Sequence, residues 1–361
     1  MATESKRSMF QASRPRLAVN DEFNRELGES TLRSLLVEES TQGLFRCEAS
    51  FANQGPVPGR TADYRFFDRQ LLDFGKAFSV AFGPPGEAGP VFAGRITGLE
   101  ASYFGDRGPE LLVLAEDRFQ DLRMERRTRT FEDMTDADVF KAVVQDHGLT
   151  PRIDVDGPRH RILAQVNQSD LAFLRQRAAA IDAELWIDNR TFFAQARARR
   201  SSGRVAFTEG EGLLSFNVLA DLAHQRTAVR VSGWDVANKR AIDVEVTESA
   251  IQAELEGRRS GSATLRSLAP RVERIALSAP QTEEEARATA EARYRSRARG
   301  FVRGYGVVEG TPRVRVGSTV ELNNLGPMFD GPYYVTLARH TFDNECGYRT
   351  TFYVERPGIG G

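Results

Sequence analysis

The residues that could do chemistry in this 361-residue chain are scattered rather than grouped. Its four histidines are His147, His160, His224 and His340, and no two have the spacing of a metal-binding pair on one helix. The sequence lacks the GxxxxGKS/T, HExxH, CxxC and GxSxG motifs of phosphate-binding loops, metalloproteases, thiol sites and serine hydrolases. We therefore predict no catalytic residues, no metal site and no cofactor.

Carboxylates and glycines that resemble functional motifs have structural explanations. Asp136 and Asp138 begin one predicted helix and residues 283–285 begin another, where the helix dipole favours negative charge. Paired glycosidase carboxylates are not needed to explain them. Residues 304–310, GYGVVEG, superficially resemble a dinucleotide-binding loop, but the glycine spacing is wrong and the segment follows a helix instead of a strand.

One basic run and one tryptophan allow two interpretations each. Arg123, Arg126, Arg127 and Arg129 are compatible with nucleic-acid contact. Flanking acidic residues and the net charge of −1 favour a strand that faces solvent or an acidic partner. Trp234 is compatible with a binding platform, but we favour a buried tryptophan at the end of a strand.

Composition indicates an ordinary soluble protein, with 40% hydrophobic and 27% charged residues. Cys47 and Cys346 do not form a disulfide framework and fit a reducing compartment, although a single bridge between them stays open. The polar, basic N-terminal segment lacks the apolar core of a signal peptide, and no run approaches the ~20 apolar residues of a membrane span. We expect the protein to be made and folded in the cytosol.

The elements that position these residues change along the chain. Short apolar runs divided by Gly, Pro and Asn predict strands up to residue 116. Thr135 and Ser169 are predicted N-caps of two helices in the following segment, and residues 188–190 are predicted to be a hairpin turn. Strands resume after Gly212, with a turn at residues 237–239.

A long connection is predicted over residues 249–281, which are rich in Ser, Gly, Ala and Arg. Thr282 and Glu285 then form the capping box of a helix that runs to Arg299. One face of this helix carries mostly small residues, which suits close packing on a sheet: Ala286, Ala290, Tyr294 and Ala298.

One pattern of strands and turns occurs twice. Gly75 leads a strand in the first copy, as Gly317 does in the second. The next strand opens with Phe-Ala-Gly at residues 92–94 and with Phe-Asp-Gly from Phe329 to Gly331. We favour an internal duplication over the chance similarity of two β-meanders.

Four segments in this order resemble the phage late control D family, the baseplate hub of contractile tails that also forms the N-terminal part of VgrG spike proteins. They cover nearly all of residues 110–356. They are DLRMERRTRTFEDMTDADVFKAVVQDHGL, VNQSDLAFLRQRAAAIDAELWID, VRVSGWDVANKRAI and the C-terminal helix with its strands. The structural motif residues are Gly233, Trp234, Asp235, Phe329, Gly331 and Tyr334.

The resemblance implies a mainly β (α+β) chain with two similar tube-type β-barrel domains and an inserted small α/β domain. The expected order is a disordered N-terminus (1–14), the first barrel (15–116), the α/β insert (117–205), the second barrel (206–248 and 300–357), and a connection with the Ala/Arg-rich helix (249–299).

The implied function is that of a non-enzymatic homotrimer joining a hexameric inner tube to a trimeric spike. Because the sequence stops without a needle, we expect the spike to be a separate polypeptide. Further expected partners are a tube or tube-initiator protein, other baseplate proteins, and DNA, cargo or a tape measure in the lumen. The particle, assembled in the bacterial cytoplasm, would be a phage tail, a tailocin or a contractile injection system. The alternatives are a tail-tip cell-wall hydrolase and a carbohydrate- or receptor-binding tail module.

Overall fold

Strands predominate in the computed structural model, in agreement with the predicted fold class: 50% of residues are strand and 21% are helix. The structure describes residues 14–57, 60–83, 89–105, 108–276 and 280–360. The predicted disordered N-terminus lies outside the described residues, apart from Arg14.

The first unit is a curved sheet in the order β2-β1-β7-β8-β9-β4-β3, with a separate hairpin of β5 and β6. A π-helical turn at Leu27–Thr31 contacts β1, β3 and β4. Alternate residues of each long strand point into a shared core. The strands are β1 (Arg16–Val19), β2 (Glu22–Phe23), β3 (Leu32–Ser40), β4 (Arg46–Ala52), β5 (Gln54–Val57), β6 (Arg60–Tyr64), β7 (Ala77–Phe82), β8 (Gly89–Ser102) and β9 (Glu110–Glu116).

The insert contains a β10–β12 ribbon and a three-stranded sheet, β11-β14-β13, packed with its helices around one core. Both predicted N-caps are confirmed: Thr135 forms a capping box with Asp138, and Ser169 accepts from the N–H of Ala172. The elements are α1 (Phe119–Arg123), β10 (Arg126–Thr135), α2 (Asp136–Asp146), β11 (Thr150–Asp154), β12 (Arg159–Ser169), α3 (Asp170–Ala180), β13 (Ala183–Asp188) and β14 (Thr191–Ala196), followed by a 3₁₀ turn at Arg197–Arg199.

The second unit is a closed six-stranded barrel, because β23 pairs with both ends of the series β22-β15-β16-β21-β24. The remaining elements follow the insert in chain order. They are β15 (Arg204–Glu209), β16 (Gly212–Ala220), β17 (Ala228–Asp235), β18 (Arg240–Val246), a 3₁₀ turn (Glu248–Ile251), α4 (Gln252–Leu255), β19 (Arg259–Ser260), α5 (Gly261–Arg266), β20 (Val272–Ile275), α6 (Glu283–Arg299), β21 (Val302–Glu309), β22 (Thr319–Asn323), β23 (Gly331–Asp343), β24 (Gly347–Arg356) and β25 (Gly358–Ile359).

The excursion between β16 and β21 differs from what the sequence predicts. Residues 206–248 were expected in the second barrel, but β17 and β18 instead form a separate sheet with β20. Helix α6 covers this sheet with its predicted small-residue face, because alternate strand residues such as Val231 and Val244 need a partner layer. The predicted connection 249–281 carries α4, α5, β19 and β20 within its described part.

Five strands repeat between the two units in both chain order and sheet order. The series β7-β8-β9-β4-β3 of the first unit corresponds to β22-β23-β24-β21-β16 of the second, and every pairing in both series is antiparallel. Both series also contain two β-bulges at matching places. One precedes Ser34 in β3 and Ser215 in β16, and the other lies at Thr97 in β8 and Thr336 in β23.

The same hydrogen bonds recur at the matching bulges. Thr97 Oγ1 donates to Leu114 O at 3.4 Å, and Thr336 Oγ1 donates to the matching carbonyl of Tyr353 at 3.2 Å. Ahead of β7 and β22, the N–H groups of Gly75 and Gly317 donate to the matching carbonyls of Ile96 and Val335, at 2.8 and 3.0 Å. Both glycines have positive φ, 77° and 85°. This correspondence supports the predicted duplication.

One predicted equivalence is wrong. The sequence pattern matches Phe329 and Gly331 with residues 92 and 94. In the sheet, however, Gly331 pairs with Leu322 of β22, and the matching residue of β7, Val80, pairs with Phe92. Gly331 therefore corresponds to Phe92, and the two Phe-x-Gly tripeptides are offset by two residues. The offset is invisible in the pattern because side chains repeat every two residues along a strand.

We predict that Ala290→Leu destabilises the protein by about 1–3 kcal/mol, because Ala290 is fully buried where α6 meets its sheet. Urea unfolding measures the effect. Arg287→Leu on the exposed face of the same helix is the matched control and is expected to change little. Equal effects of the two substitutions would show that α6 does not pack as described.

Candidate assembly interface

The two units are joined by a strand pair, β3 with β23, which we call the joint. β23 is long enough to serve both units. Its first residues, up to Tyr334, pair with β22 inside the barrel, whereas Leu337 to Asp343 pair antiparallel with Ser40 to Ser34 of β3. The first-unit sheet and the barrel therefore form one continuous hydrogen-bonded sheet.

Apolar packing crosses the joint beneath this strand pair. Phe82 of the first unit stacks on Tyr348 of the second with ring centroids 3.7 Å apart and an interplanar angle of 5°. Phe342 of β23, only 3% exposed, belongs to the core of the first unit. The shared sheet and the shared apolar packing oppose a hinge motion between the two units at this point.

A buried histidine completes the joint without carrying charge. His340 lies opposite Val37 of β3, and its Nδ1 is 2.9 Å from the hydroxyl of Tyr348. Burial, with the nearby positive charge of Arg315, lowers the pKa of His340 to about 3. The imidazole is therefore neutral at physiological pH and acts as a packing and hydrogen-bonding group.

Ion pairs reinforce the joint on both sides of the sheet. On the outer side, Glu38 accepts from Arg339 at 3.0 Å and from Arg46 at 3.1 Å, linking three adjacent strands. On the inner side, Glu39 is buried and pairs with Arg315, whose Nη1 also donates to the carbonyl of Pro90 at 2.7 Å. Glu39 and Arg315 come from different units, so this pair fixes their relative position.

The insert is anchored to the barrel by buried polar contacts. Glu184 of β13 accepts from Arg200 at 2.8 Å and from the Tyr334 hydroxyl of β23 at 2.6 Å. Arg197 pairs with Glu355 of β24 at 2.6 Å and lies 4.3 Å from the centre of the Tyr334 ring. Tyr334, one of the predicted motif residues, thus binds the insert to the second unit. Its pKa is raised by burial and the adjacent carboxylate.

Helix α6 is held against the insert at both ends. Near its N-terminus, Glu285 is 2.7 Å from His160 Nδ1, while Asp136 is 3.1 Å from His160 Nε2 and also binds Arg177. The predicted capping box is only half formed. Thr282 accepts from the N–H of Glu285, but the Glu285 carboxylate accepts from the N–H of Gln281 and contacts His160.

At the C-terminus of α6, a single arginine joins three elements. Arg299 donates to Asp182 at 2.7 Å and to Glu254 of α4 at 2.7 and 2.8 Å, and its side chain is 3% exposed. Arg299 is removed from water and the two carboxylates are partly buried, so losing one partner leaves a poorly solvated charge.

The sequence matches one protein-family model over most of its length. A family model described as the Alg8 N-terminal domain matches residues 57–344, which is most of the chain.

The chain belongs to the Alg8 N-terminal domain family.

Solved structures with the same fold include tail proteins and a secretion component. The 43 kDa tail protein of prophage MuSo2 from Shewanella oneidensis has a TM-score of 0.68 at 15% identity, covering 95% of this chain and 98% of that one. A tail protein from Neisseria meningitidis MC58 gives 0.68 at 10% identity, covering 97% and 98%.

The Escherichia coli c3393 protein gives 0.56 at 11% identity, covering 96% of this chain and 79% of that one. It is described as a type VI secretion component with structural similarity to tail proteins of bacteriophage T4. No curated protein matches the sequence. At these identities the structures establish a shared fold.

In this Alg8-family chain, the motif at residues 233–235 lies away from the joint, on β17. Gly233 lets Pro280 approach, because an added Cβ would lie 2.6 Å from the Pro280 carbonyl oxygen. Asp235 accepts from the side-chain amide of Asn238 at 2.7 Å and from its backbone N–H at 3.0 Å, which orders the turn. These two hydrogen bonds lower the pKa of Asp235. Trp234 is 53% exposed, so the favoured prediction that it is buried is wrong.

The other predicted motif residues shape the start of β23. The carbonyl of Phe329 accepts from the hydroxyl of Tyr333 at 2.7 Å, and its ring packs on the barrel core. Gly331 has φ 112°. Together with Tyr334 they lie at or near the start of β23. Sequence motifs do not identify the threonines at the bulges, Thr97 and Thr336, or the Glu39–Arg315 pair. None of these residues lies in a recognisable local pattern.

Two carboxylates in settings typical of catalytic residues have hydrogen-bond partners within the chain: Asp117 and Asp343. Burial raises the pKa of Asp117 to about 7 despite hydrogen bonds from the N–H groups of Phe45 and Phe119, at 2.9 and 3.0 Å. Asp117 is only 2% exposed, and its two oxygens join the residue before β4 to the start of α1. In a polar groove of about 840 Å³, Asp343 accepts from the N–H of Glu345 at 2.8 Å.

Three arginines of the basic run pair with carboxylates of the chain, and Arg126 donates to the carbonyl of Asn167 at 3.0 Å. Arg127 and Arg129 face Asp146 and Asp170, with Arg129 to Asp170 at 2.8 Å, and Arg123 pairs with Glu116. These carboxylates belong to the chain itself, so the pairs do not test whether the strand faces a partner.

The remaining candidate features are the cysteines, metal-binding clusters and membrane-spanning helices. Both cysteines are free, with Cys47 buried and Cys346 exposed. Over the described ranges, no three His, Cys, Asp or Glu side chains converge as a metal site. Within the same part of the chain, no helix is both long and apolar enough to cross a bilayer.

We predict that Arg299→Ala destabilises the protein by about 3–5 kcal/mol, because it strands two partly buried carboxylates, Asp182 and Glu254. Denaturant unfolding measures the loss. The matched control is Arg287→Ala, which removes an exposed pair with Glu283 and should cost about 0.2–0.5 kcal/mol. A loss at Arg299 as small as that at Arg287 would contradict the cluster.

We predict that His160 stabilises the protein more at low than at high pH. Burial alone would lower its pKa, but hydrogen bonds with Asp136 and Glu285 outweigh burial and hold the pKa above 6.5. The stabilisation is therefore complete below the unfolded value of 6.5 and is lost as the pH rises through the folded pKa.

The measurement is the difference in unfolding free energy between wild type and His160→Gln at about pH 5.5 and about pH 8.5, where linkage predicts the larger difference at the lower pH. His224→Gln, at an exposed position, controls for general pH effects. A difference that grows with pH would contradict the described contacts.

Proposed function

We propose that the chain is the structural baseplate hub of a contractile tail-like particle, of the late control D and VgrG N-terminal type. The observation that carries the proposal is the fusion of two units with the same five-strand order into one continuous sheet. Three such chains present six similar units. A ring of this kind fits a sixfold tube on one side and a threefold spike on the other.

The proposed role is mechanical. The ring templates the inner tube or its initiator, holds a spike, and moves with both when the particle contracts. A rigid joint supports this role, because force passes between the units through backbone hydrogen bonds, the Phe82–Tyr348 stack and the Glu39–Arg315 pair rather than through a flexible linker. Other baseplate proteins, with DNA, cargo or a tape measure in the lumen, complete the proposed environment.

The proposal is for a component without enzymatic activity. The notable ionised clusters among the described residues link elements to one another, as Glu184 links the insert to β23 and Arg299 links α6 to the insert. Such clusters specify relative position. The solved structures with this fold include phage tail proteins, which supports a tail-structural role.

We predict a homotrimer by native mass spectrometry, at three times the chain mass of 40.2 kDa. The sample is the purified full chain, measured alone and with its tube and spike partners. A chain that stays monomeric in the presence of both partners would contradict the hub, and a screen for cell-wall hydrolysis and glycan binding would then test the alternatives.

A further inference from the structure

Each half of the joint has a counterpart elsewhere in the chain. The shared bulges and pairings match Leu337–Phe342 of β23 with residues 98–103, at the end of β8 and just beyond it. On β23 this stretch pairs with β3 along the same edge that β22 occupies nearer the start of the strand. On β8 the equivalent side, beyond the residues paired with β7, carries no strand in the described part of the chain.

The counterpart of β3 is β16, and its outer edge is also open. Residues of β3 and β16 correspond when they pair with matching residues of β4 and β21. On this basis Glu38 corresponds to Leu219, Leu36 to Asn217 and Ser34 to Ser215. β15 pairs with β16 only at Gly212 and Leu213, so within the described residues the stretch 214–220 has a strand partner on one side alone.

The side chains at both open edges look like an uncovered copy of the joint. The inward-facing residues are apolar yet partly or largely exposed: Leu99 and Ala101 in β8, Tyr103 just after it, and Phe216, Val218 and Ala220 on β16. Their counterparts in the joint are all buried: Ala338, His340 and Phe342, and Leu35, Val37 and Glu39.

Single residues show the size of the difference. Tyr103 is 66% exposed, whereas its counterpart Phe342 is 3% exposed. Long unpaired edges with apolar side chains are unusual in isolated chains, because such edges are templates for pairing with another strand.

We propose that β16 of one copy pairs antiparallel with β8 of the next copy, repeating between chains the joint that β3 and β23 form within a chain. The occupant of each open edge is thus a second copy of this chain. The inference rests on the proposed trimer, which supplies the copies and closes the ring. The contact is head-to-tail, because two different edges meet.

The register of the new pair transfers from the joint. Thr341 faces Leu36 in the joint, so Ser102 of one copy faces Asn217 of the next. Arg339 faces Glu38, so Glu100 faces Leu219. The same transfer places Tyr103 opposite Phe216, as Phe342 lies opposite Leu35, and this buries the exposed apolar residues.

The direct test is cross-linking between two single-cysteine chains, Ser102→Cys and Asn217→Cys, co-expressed in full-length protein with Cys346→Ser. Cys47 stays, because it is buried and burial raises the pKa of its thiol, which keeps it unreactive. Facing residues of antiparallel strands lie about 5 Å apart, within reach of a short bismaleimide. We expect a covalent dimer of one chain of each kind and only monomer when either variant is expressed alone.

A matched control replaces Asn217→Cys with Leu268→Cys, which is exposed but lies on neither edge, and should give no dimer. A trimer by native mass spectrometry without the 102–217 link would overturn this pairing and leave the proposed hub standing. Monomer in every sample, including wild type with its partners, would overturn both. Self-linking of either single variant would show a two-fold contact and overturn the head-to-tail arrangement.

Hydrogen exchange on the unmodified trimer gives a second test that needs no variant. Backbone amides at the open edges, within residues 98–102 and 214–220, should exchange slowly in the trimer because they become hydrogen-bonded between chains. Fast exchange at these amides in an intact trimer would overturn the pairing.

Discussion

The strand pair between β3 and β23 is the constraint on which the rest of the structure depends. β23 is long, and its bulge at Thr336 separates the part that closes the barrel from the part that reaches the first unit. Because backbone hydrogen bonds set this junction, the two units cannot rotate independently. The chain therefore presents two similar surfaces at one defined spacing, which is what a repeating assembly requires.

Charged side chains place the remaining layers on this frame. Glu184 joins the insert to the barrel, and Asp182 and Asp136 join it to α6 through Arg299 and His160. Buried ion pairs add little net stability relative to apolar packing, but a misplaced partner leaves a charge buried and alone. Such contacts therefore select one arrangement of the layers.

Local signals in the sequence account for much of the fold. The helix caps at Thr135 and Ser169 were predictable because they depend on residues three positions apart, and the small-residue face of α6 follows from helical periodicity. The repeat was also visible, through Gly75 and Gly317. Its register was not, because a strand pattern reads the same after a shift of two residues.

Long-range features were not accessible in the same way. The alternation in β17 and β18 predicts strands but does not say which sheet they join, so both were placed in the barrel rather than under α6. The joint unites Glu39 with Arg315, and the anchor of the insert unites Glu184 with Tyr334. No local pattern marks partners so far apart in sequence. Trp234 was expected to be buried, but it lies on an exposed strand position.

The most direct measurement is a cryo-electron microscopy map of the assembled particle, reconstructed with no more than threefold symmetry. We predict six similar β units around one ring, with strand density continuous across six junctions, three within chains and three between them. Three chains that meet through their inserts, with the edges of β8 and β16 facing solvent, would contradict the central claim that one joint is used both within and between chains.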